Sequence, residues 1–216
     1  MSLIKKEGIF IEKGISMAVI KRLPRYYRYL CELKENGVSR TSSMELSKKM
    51  RVTASQIRQD LNNFGCFGQQ GYGYGVDMLI NEIKKILGLD RDYNIIIIGA
   101  GRLGTALAAY PNFYRRGFNF VALFDIDTEI IGDNVKGVPI IDMNELENFV
   151  TNNPVDIAAL CLPHENAQEV FERVSALGIK GVWNFSHMDL QTAGEMKVEN
   201  VHLTDSLMTL SYLLNV

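Results

Sequence analysis

One strand–loop–helix pattern constrains this chain more than any other feature of its sequence. An apolar run, Tyr93 to Ile98, predicts a strand that is buried on both faces. A glycine-rich motif follows directly, Gly99-Ala100-Gly101-Arg102-Leu103-Gly104, and an apolar helical pattern begins after it. In this context the glycines permit a tight turn, close approach of a pyrophosphate to the backbone, and close packing of the helix. The segment therefore predicts a dinucleotide-binding loop with the phosphates at a helix N-terminus.

A carboxylate follows the next predicted strand. Asn119 to Phe124 forms that strand, and Asp125 stands at its end, 21 residues after Gly104. An acidic residue at this distance holds the ribose hydroxyls of an adenosine and repels a 2′-phosphate. The spacing therefore favours NAD(H) over NADP(H). Asp127 either shares this role or caps the next turn.

Strands and helices continue to alternate towards the C-terminus. Predicted helices cover residues 142–150, 165–177 and 205–214, and predicted strands cover 157–162, 181–184 and a stretch near Val201. This alternation is typical of an α/β fold with a doubly wound parallel sheet. In such folds ligands bind beyond the carboxyl ends of the strands. Pro163 and Phe185 follow two of these strands, so we expect both to face the cofactor cleft.

The charge of the chain is unevenly distributed. Residues 1–85 hold 15 Lys and Arg against 8 Asp and Glu, whereas residues 86–216 hold 8 against 17. This asymmetry predicts two domains with different partners, and the basic first part suits a polyanion such as DNA. A set of solvated basic helices is the alternative.

The basic part contains the pattern of a helix-turn-helix. Residues 16–35 predict an amphipathic helix, in which Pro24 can mark the true start. Ser42 with Glu45, and Thr53 with Gln56, have the spacing of capping boxes. They predict helices over residues 43–50 and 54–64, joined by a very short connection.

The outer face of the second of these helices is rich in hydrogen-bonding groups. Its members are Ser55, Gln56, Arg58, Gln59 and Asn62. Amide side chains pair in two ways with an adenine edge, and Arg reaches guanine or phosphate. Arg22, Arg25 and Arg28 form a basic stripe on the preceding helix. We expect the five polar residues and Arg22 to contact DNA; solvated helix faces are the alternative.

Five glycines fall within residues 65–75, where they alternate with aromatic residues. This composition predicts a β-hairpin, the wing of a winged helix, with Gln70 and Tyr72 at the DNA. A phosphate-binding loop is the competing interpretation, but no Gly-Lys-Ser/Thr ending is present. Residues 76–87 then predict a linker helix.

Cysteine usage and hydropathy exclude several classes of protein. Cys31, Cys66 and Cys161 are widely spaced, which argues against a disulfide framework and against a metal site. The sequence has neither a signal-peptide pattern nor the roughly 20 apolar residues that a membrane span needs. We therefore expect a cytoplasmic protein without a membrane partner.

The histidines do not indicate an enzyme. Hydride transfer needs an acid–base group and a substrate pocket. His164 opens a predicted helix, and His187 follows a strand without an obvious carboxylate partner. A sensor is therefore the preferred interpretation. A small oxidoreductase with a helical dimerisation arm, and a winged helix whose second domain binds a CoA or ADP-ribose derivative, are the alternatives.

From about Ile20 to Tyr212 the chain resembles the Rex family of redox-sensing transcriptional repressors. The segments that carry the resemblance are Arg22-Leu23-Pro24, Thr41-Ser42-Ser43, Gln56 to Leu61, Phe64-Gly65, Phe67-Gly68, Gly71 to Tyr74, Ile86-Leu87-Gly88, Gly99 to Gly104, Ala106-Leu107, Phe124 to Asp127, Gly178 to Gly181 and Asn184-Phe185.

The resemblance implies a winged helix-turn-helix domain over residues 1–85, a Rossmann NAD(H)-binding domain over 86–200, and a dimerisation helix over 201–216. It implies a homodimer in which the C-terminal helix is swapped, and this suits the apolar stripe Leu203, Leu207, Leu210 and Leu214. Members of the family repress transcription at AT-rich inverted repeats in operator DNA. NADH closes the dimer and releases the DNA, whereas NAD+ permits binding.

The resemblance also assigns a switch. Tyr110 lies near the nicotinamide, and Arg28 pairs with an aspartate in the DNA-bound form. That aspartate falls on His202 here, so the pairing is either lost or replaced by a weaker, pH-dependent one. Gln59 and Gln70 replace basic residues of the family, which predicts a shallower salt dependence of DNA binding.

Overall fold

The computed structural model describes residues 15–64, 68–69, 72–191 and 194–215. The chain divides into two compact units, with the boundary between Arg91 and Asp92. The first unit contains the basic part of the chain, and the second contains the glycine-rich motif. No helix in the described ranges is long and apolar enough to cross a membrane.

The described part of the first unit is helical with a small antiparallel sheet. Its helices are α1 (Met17–Ile20), α2 (Leu23–Glu35), α3 (Ser43–Met50), α4 (Ala54–Asn62) and α5 (Val76–Ile86). Its strands are β1 (Arg40–Thr41), β2 (Gly68–Gln69) and β3 (Gly73–Gly75), in the order β1-β3-β2. The winged helix-turn-helix fold predicted from the sequence is thereby confirmed.

The helix predicted over residues 16–35 is in fact two helices. α1 ends at Ile20, and α2 begins at Leu23 with Pro24 in its first turn. Proline suits this position because the first-turn N–H groups have no partner within the helix. Tyr26 and Leu30 point from α2 into the core and are fully buried.

Helix α3 begins with a complete capping box, but α4 does not. The Ser42 hydroxyl accepts a hydrogen bond from the Glu45 N–H (3.1 Å), and the Glu45 carboxylate accepts one from the Ser42 N–H (2.8 Å). Thr53 likewise accepts from the Gln56 N–H (3.1 Å). The Gln56 amide, however, donates to Asp60 within α4 instead of returning to the cap. The prediction of a second capping box was therefore wrong for the bond from the Gln56 side chain, although the Thr53 cap itself is present.

The three-stranded sheet forms the base of the wing. β3 pairs with β1, with Thr41 opposite Tyr74. Gly73 has φ +68°, and a Cβ on it would lie 2.5 Å from the Thr41 carbonyl oxygen, so only glycine fits there. Residues 65–67 and 70–71, which include Cys66 and the predicted DNA contact Gln70, lie outside the described residues.

Helix α5 is part of the core of the first unit and not a linker as predicted. It packs against α2. Val76, Leu79 and Ile83 are buried in the same cluster as Leu30. An amphipathic face of this kind is stabilised by burial, which holds the helix to its own unit.

The second unit is a sheet with helices. Its strands are β4 (Tyr93–Ile98), β5 (Phe118–Asp125), β6 (Asn134–Val135), β7 (Val138–Asp142), β8 (Ile157–Leu160), β9 (Gly181–Asn184) and β10 (Lys197–Asn200). Its helices are α6 (Arg102–Ala108), α7 (Pro111–Tyr114), α8 (Leu146–Asn152), α9 (His164–Ala176) and α10 (Leu203–Leu214). The strand order is β10-β9-β8-β4-β5-β7-β6, parallel except for β6 against β7. The parallel strands have the 3-2-1-4-5-6 order of a Rossmann fold, as predicted.

Both faces of the sheet are buried. Ile96 and Leu160 lie in the cluster on one face, while Ile97 and Ala159 lie in the cluster on the other. Successive strand residues point to opposite faces, so a strand covered on both sides must be apolar throughout.

Several short elements were not predicted. β6 and α7 are too short to show a period, and Pro139 in β7 argues against a strand at the sequence level. β8 ends at Leu160, two residues earlier than predicted, because Pro163 already serves as the N-cap of α9.

The C-terminal helix α10 has no buried residue. The side chains of its apolar stripe, Leu203, Leu207, Leu210 and Leu214, are between 49% and 78% exposed. An apolar stripe of this size on a folded chain marks an interaction surface.

Candidate functional site

The glycine-rich loop joins β4 to α6 at the carboxyl edge of the sheet. Gly99 has φ +101°, and a Cβ on it would overlap the Cys161 carbonyl oxygen. A Cβ on Gly104 would overlap the Gly99 carbonyl oxygen. A Cβ on Gly101, by contrast, would have no atom of the described residues within 4 Å apart from those of the adjoining residues. Two glycines are thus required by contacts within the protein, and the third leaves room for a phosphate at the backbone.

This loop lies where the strand order reverses. β4 is hydrogen-bonded to β5 on one side and to β8 on the other. The Gly99 N–H donates to Phe124 O (2.8 Å), and the Cys161 N–H donates to Ile98 O (2.7 Å). Ligands of doubly wound sheets bind in the crevice at such a reversal. Pro163, which follows β8, is brought to the same edge.

Asp125 is held against the glycine-rich loop. Its Oδ2 accepts a hydrogen bond from the Ala100 N–H (2.6 Å), and its Oδ1 accepts from the N–H groups of Ile126 (2.8 Å) and Asp127 (3.1 Å). Asp127 caps the following turn through the Glu129 N–H (3.0 Å). The structure therefore separates the two carboxylates: only Asp125 contacts the loop.

An aromatic chain runs between two of the residues predicted for the cofactor. The Phe113 ring lies 5.5 Å from the centroids of both Tyr110 and Trp183, and Trp183 lies 4.5 Å from Phe185, all edge-on. Tyr110 itself is 51% exposed. Phe113 and Trp183 were not predicted as site residues, because they lie on α7 and β9 and share no local pattern.

A buried amide shapes the turn that carries Phe185. Asn184 is fully buried; its Oδ1 accepts from the Ser186 N–H (3.0 Å) and hydroxyl (2.7 Å). Its Nδ2 donates to Met188 O (2.7 Å) and to Asn200 Oδ1 (2.8 Å). These bonds satisfy the buried amide and hold the turn in one conformation.

In the first unit, the polar face predicted on α4 is exposed. Ser55, Arg58, Gln59 and Asn62 are all exposed, and Arg58 donates to the Ser43 hydroxyl (3.1 Å). Tyr72, which directly precedes β3, is 71% exposed.

The base of the wing carries a cation that sequence analysis missed. Arg40 on β1 donates to Tyr72 O (2.9 Å), and its guanidinium lies 5.9 Å from the Tyr72 ring centroid. Its signal in the sequence was weak, because Arg40 is isolated from other basic residues.

Arg22 and Gln56 contact a buried carboxylate. Arg22 donates from Nε and Nη2 to the two oxygens of Asp60, each at 2.7 Å. The Tyr26 hydroxyl and the Gln56 amide also donate to Asp60, each at 2.8 Å. Asp60 is fully buried, whereas Arg22 and Gln56 are half-buried. A charged residue at a core position of α4, beside Leu61, was the signal for this cluster.

The cluster keeps Asp60 ionised. Burial by itself raises the pKa of the carboxyl, but the hydrogen bonds from Arg22, Tyr26 and Gln56 outweigh it and hold the pKa below its ordinary value. The hydrogen bond to Asp60 raises the pKa of Arg22. Burial, and then Asp60, raise the pKa of Tyr26.

The three predicted switch residues have different surroundings. Arg28 is exposed, with its guanidinium 5.5 Å from the Tyr29 ring centroid. The Tyr110 hydroxyl accepts from the Asn112 amide (2.8 Å). His202 precedes α10, and its Nε2 lies 2.8 Å from Asp189 Oδ1. This hydrogen bond raises the pKa of His202.

The described residues indicate neither a metal site nor a reactive thiol. No cluster of three or more His, Cys, Asp or Glu that could hold a metal lies within the described ranges. Cys31 and Cys161 are free thiols. Burial raises the pKa of Cys161 to about 12, which leaves little thiolate at neutral pH.

Two family models match the chain. One, described as a CoA binding domain, matches residues 90–188. The other, described as a putative DNA-binding protein N-terminus, matches residues 14–62.

Relatives and solved structures match nearly the whole chain. The redox-sensing transcriptional repressor Rex of Thermoanaerobacter sp. (strain X514) is 56% identical over 201 residues, which are 93% of this chain and 90% of the relative. A crystal structure of RSP with beta-NAD+ and operator DNA has a TM-score of 0.88 and 55% identity, covering 94% of both chains. A structure of RSP with beta-NADH has a TM-score of 0.87 and 52% identity, covering 94% of this chain and 96% of that one. The resemblance drawn from the motifs is thus confirmed, and the chain belongs to the Rex family of redox-sensing transcriptional repressors.

Proposed function

We propose that this chain represses transcription by binding operator DNA when NADH is low and releases the DNA when NADH binds. The observation that carries the proposal is the presence in one chain of a helix-turn-helix unit with an exposed polar helix and a Rossmann unit whose glycine-rich loop touches Asp125. Its named relatives are transcriptional repressors, and the chain is likewise a repressor and not an enzyme.

The nucleotide site is proposed at the carboxyl edge of β4, β5, β8 and β9. The first-turn amides of α6 have no partner within the helix and suit the pyrophosphate. Asp125 suits the adenosine ribose, and the nicotinamide is placed towards Pro163, Phe185 and Tyr110. The complete proposed set is Gly99, Ala100, Gly101, Arg102, Leu103, Gly104, Asp125, Tyr110, Pro163 and Phe185.

The DNA site is proposed on α4 and the wing. Exposed amides on α4 suit the edges of adenines in a major groove. The proposed set is Arg22, Ser55, Gln56, Arg58, Gln59, Asn62, Gln70 and Tyr72. Arg40 is added, because it is fixed beside Tyr72 at the base of the wing.

Coupling between the two sites requires a difference in affinity. NADH shifts the protein away from DNA only if it binds the DNA-free form more tightly. Arg28, Tyr110 and His202 are the proposed switch residues. His202 stands at the position of the family's aspartate, and it pairs with Asp189.

The exposed stripe on α10 supports a homodimer with a swapped C-terminal helix. Burial in a dimer would remove the leucine side chains from water. A two-fold dimer matches an inverted repeat, because each protomer then contacts one half-site. We assign residues 1–85 to DNA binding, 86–200 to NAD(H) binding and 201–216 to dimerisation. A DNA partner supports the proposal of a cytoplasmic location.

A CoA derivative is the second candidate ligand, since one matching family model is described as a CoA binding domain. CoA carries a phosphate on its ribose, and a carboxylate near that ribose repels it. Asp125 at the loop therefore favours NADH.

The test is fluorescence anisotropy with an AT-rich palindromic duplex. We expect micromolar NADH to release the duplex and equal concentrations of NAD+ or CoA to leave it bound. Release by CoA and not by NADH would favour the second candidate. Absence of specific binding at low salt would refute the repressor function.

A further inference from the structure

Asp60 is an unusual residue for the interior of a small helical unit. It is fully buried and ionised, and it is held by Arg22, Tyr26 and Gln56. Burying an ion pair costs desolvation energy, and well-packed apolar residues in its place often stabilise a protein equally well. Stability alone therefore does not account for this carboxylate.

The contacts of Asp60 connect two elements that carry the proposed DNA-binding residues. Arg22 directly precedes α2, and Gln56 lies near the start of α4. Because Arg22 binds both carboxylate oxygens, its guanidinium plane is fixed in direction as well as in position. Gln56 is held by its amide nitrogen, and its carbonyl oxygen is not used in this contact.

Hydrogen-bonding groups of Arg22 and Gln56 remain that do not contact Asp60. The Arg22 side chain is 29% exposed, and its Nη1 forms no hydrogen bond within the described part of the chain. Gln56 is half-buried between its exposed neighbour Ser55 and the core residue Ile57. Asp60 thus holds one edge of each side chain, and the other edge is available for a contact with DNA.

We propose that Asp60 is a positioning residue for sequence-specific DNA binding: from inside the first unit it orients Arg22 and Gln56 towards the DNA. The inference rests on the proposed repressor function and deepens it. Asp60 touches no DNA, and it acts through the two side chains it holds. Side chains that are already fixed in the free protein lose little conformational entropy when they bind DNA. They therefore favour the one base sequence that fits their orientation.

Charge and positioning make opposite predictions. Removing Asp60 removes a negative charge near the DNA surface, so electrostatics alone predicts tighter binding to every duplex. Loss of orientation instead weakens binding to the preferred sequence, because base contacts and not phosphate contacts carry specificity. The ratio of the two affinities separates the two effects.

The experiment uses the full-length protein and the variant Asp60→Asn. The wild-type protein first selects a duplex from a randomised pool, and dissociation constants are then measured for that duplex and for a scrambled one of equal composition. We expect the selectivity ratio of Asp60→Asn to fall by about tenfold, the size of one good base contact. Affinity for the scrambled duplex stays equal or rises. An unchanged ratio in a folded variant would overturn the proposal.

Two control variants isolate the effect. Glu32→Gln changes the net charge of the same unit by the same amount, but Glu32 pairs with Lys49 in an exposed ion pair. Tyr26→Phe removes one hydrogen bond to Asp60 and leaves those of Arg22 and Gln56. We expect both controls to keep the selectivity ratio, with a lower melting temperature for Tyr26→Phe. If the selectivity ratio of Tyr26→Phe fell as far as that of Asp60→Asn, the effect would be due to lost stability, and the proposal would be overturned.

Folding of Asp60→Asn is checked by circular dichroism and thermal melting. If Asp60→Asn does not fold, the variant Arg22→Lys tests the proposal instead. Lysine keeps the positive charge but cannot bind both oxygens of Asp60 as arginine does. An unchanged selectivity ratio in Arg22→Lys would overturn the proposal. Failure of the repressor function itself looks different, since the wild-type protein would then select no duplex from the pool.

Discussion

The carbonyl oxygen of Cys161 lies so close to Gly99 that it would overlap a Cβ atom there. The loops that follow β4 and β8 therefore pack backbone against backbone. The shape of the glycine-rich loop depends on this contact as well as on its own sequence. Any side chain at residue 99 would have to separate the two loops or change the backbone at φ +101°.

Gly99→Ala is expected to abolish NADH binding and to destabilise the second unit by about 1–3 kcal/mol, the usual cost of overpacking. Calorimetric titration with NADH and thermal melting measure the two effects. Gly101→Ala is the matched control: its Cβ meets no described atom, so the variant should melt normally and still lose NADH affinity. Normal NADH affinity in Gly99→Ala would contradict the geometry of the loop.

Asp125→Asn is expected to lower NADH affinity by about tenfold, the usual value of one hydrogen bond to a charged group. Loss of the carboxylate also removes the repulsion of a 2′-phosphate, so the preference for NADH over NADPH should shrink. Fluorescence titration with both nucleotides measures the ratio. Asp127→Asn, which affects only the cap to Glu129, should behave like the wild-type protein. If it loses as much affinity as Asp125→Asn, the ribose assignment is wrong.

Substitution on the apolar stripe of α10 is expected to change the oligomeric state. Leu207→Glu combined with Leu210→Glu places two charges on the stripe, so a dimer should dissociate into monomers in light-scattering measurements. Thr209→Glu adds a charge to the same helix away from the stripe and should remain dimeric. A dimer that survives the double substitution would exclude α10 from the interface.

The His202–Asp189 pair is expected to make stability depend on pH. The pKa of His202 is raised above its ordinary value of 6.5 by the Asp189 hydrogen bond, so the protonated form is favoured in the folded state. Its stabilising contribution is therefore complete below pH 6.5 and is lost as the pH rises through the raised pKa.

Melting temperatures of the wild-type protein and His202→Gln, compared from pH 5.5 to 8.5 at steps of about half a pH unit, test this dependence. The two should converge at high pH, and Asp189→Asn should lose the same pH dependence as His202→Gln. A difference in melting temperature between the wild-type protein and His202→Gln that grows with rising pH would contradict the predicted effect of this pair.

Local sequence patterns were sufficient for much of the fold. The glycine-rich loop, the strand at residues 93–98 and the complete capping box at Ser42 each follow from residues close together in the chain. The exposed polar face of α4 was predictable for the same reason, because helical periodicity separates core positions from surface positions. The separation of a basic and an acidic part likewise appeared in the charge counts.

Other features depended on contacts between distant residues. Arg22 looked like a simple surface residue, and only the tertiary contact between the start of α2 and α4 shows that it binds Asp60. The aromatic chain through Phe113 and Trp183 joins α7 to β9 in the same way.

By itself, the sequence therefore determined the longer helices and strands, the fold class and the nucleotide loop, since these depend on spacing along the chain. Tertiary structure decided that Arg22 binds Asp60, that Asp125 and not Asp127 contacts the loop, and that His202 pairs with Asp189. The physical reason is that a hydrogen bond or ion pair depends on distances of about 3 Å, which packing sets and residue order does not.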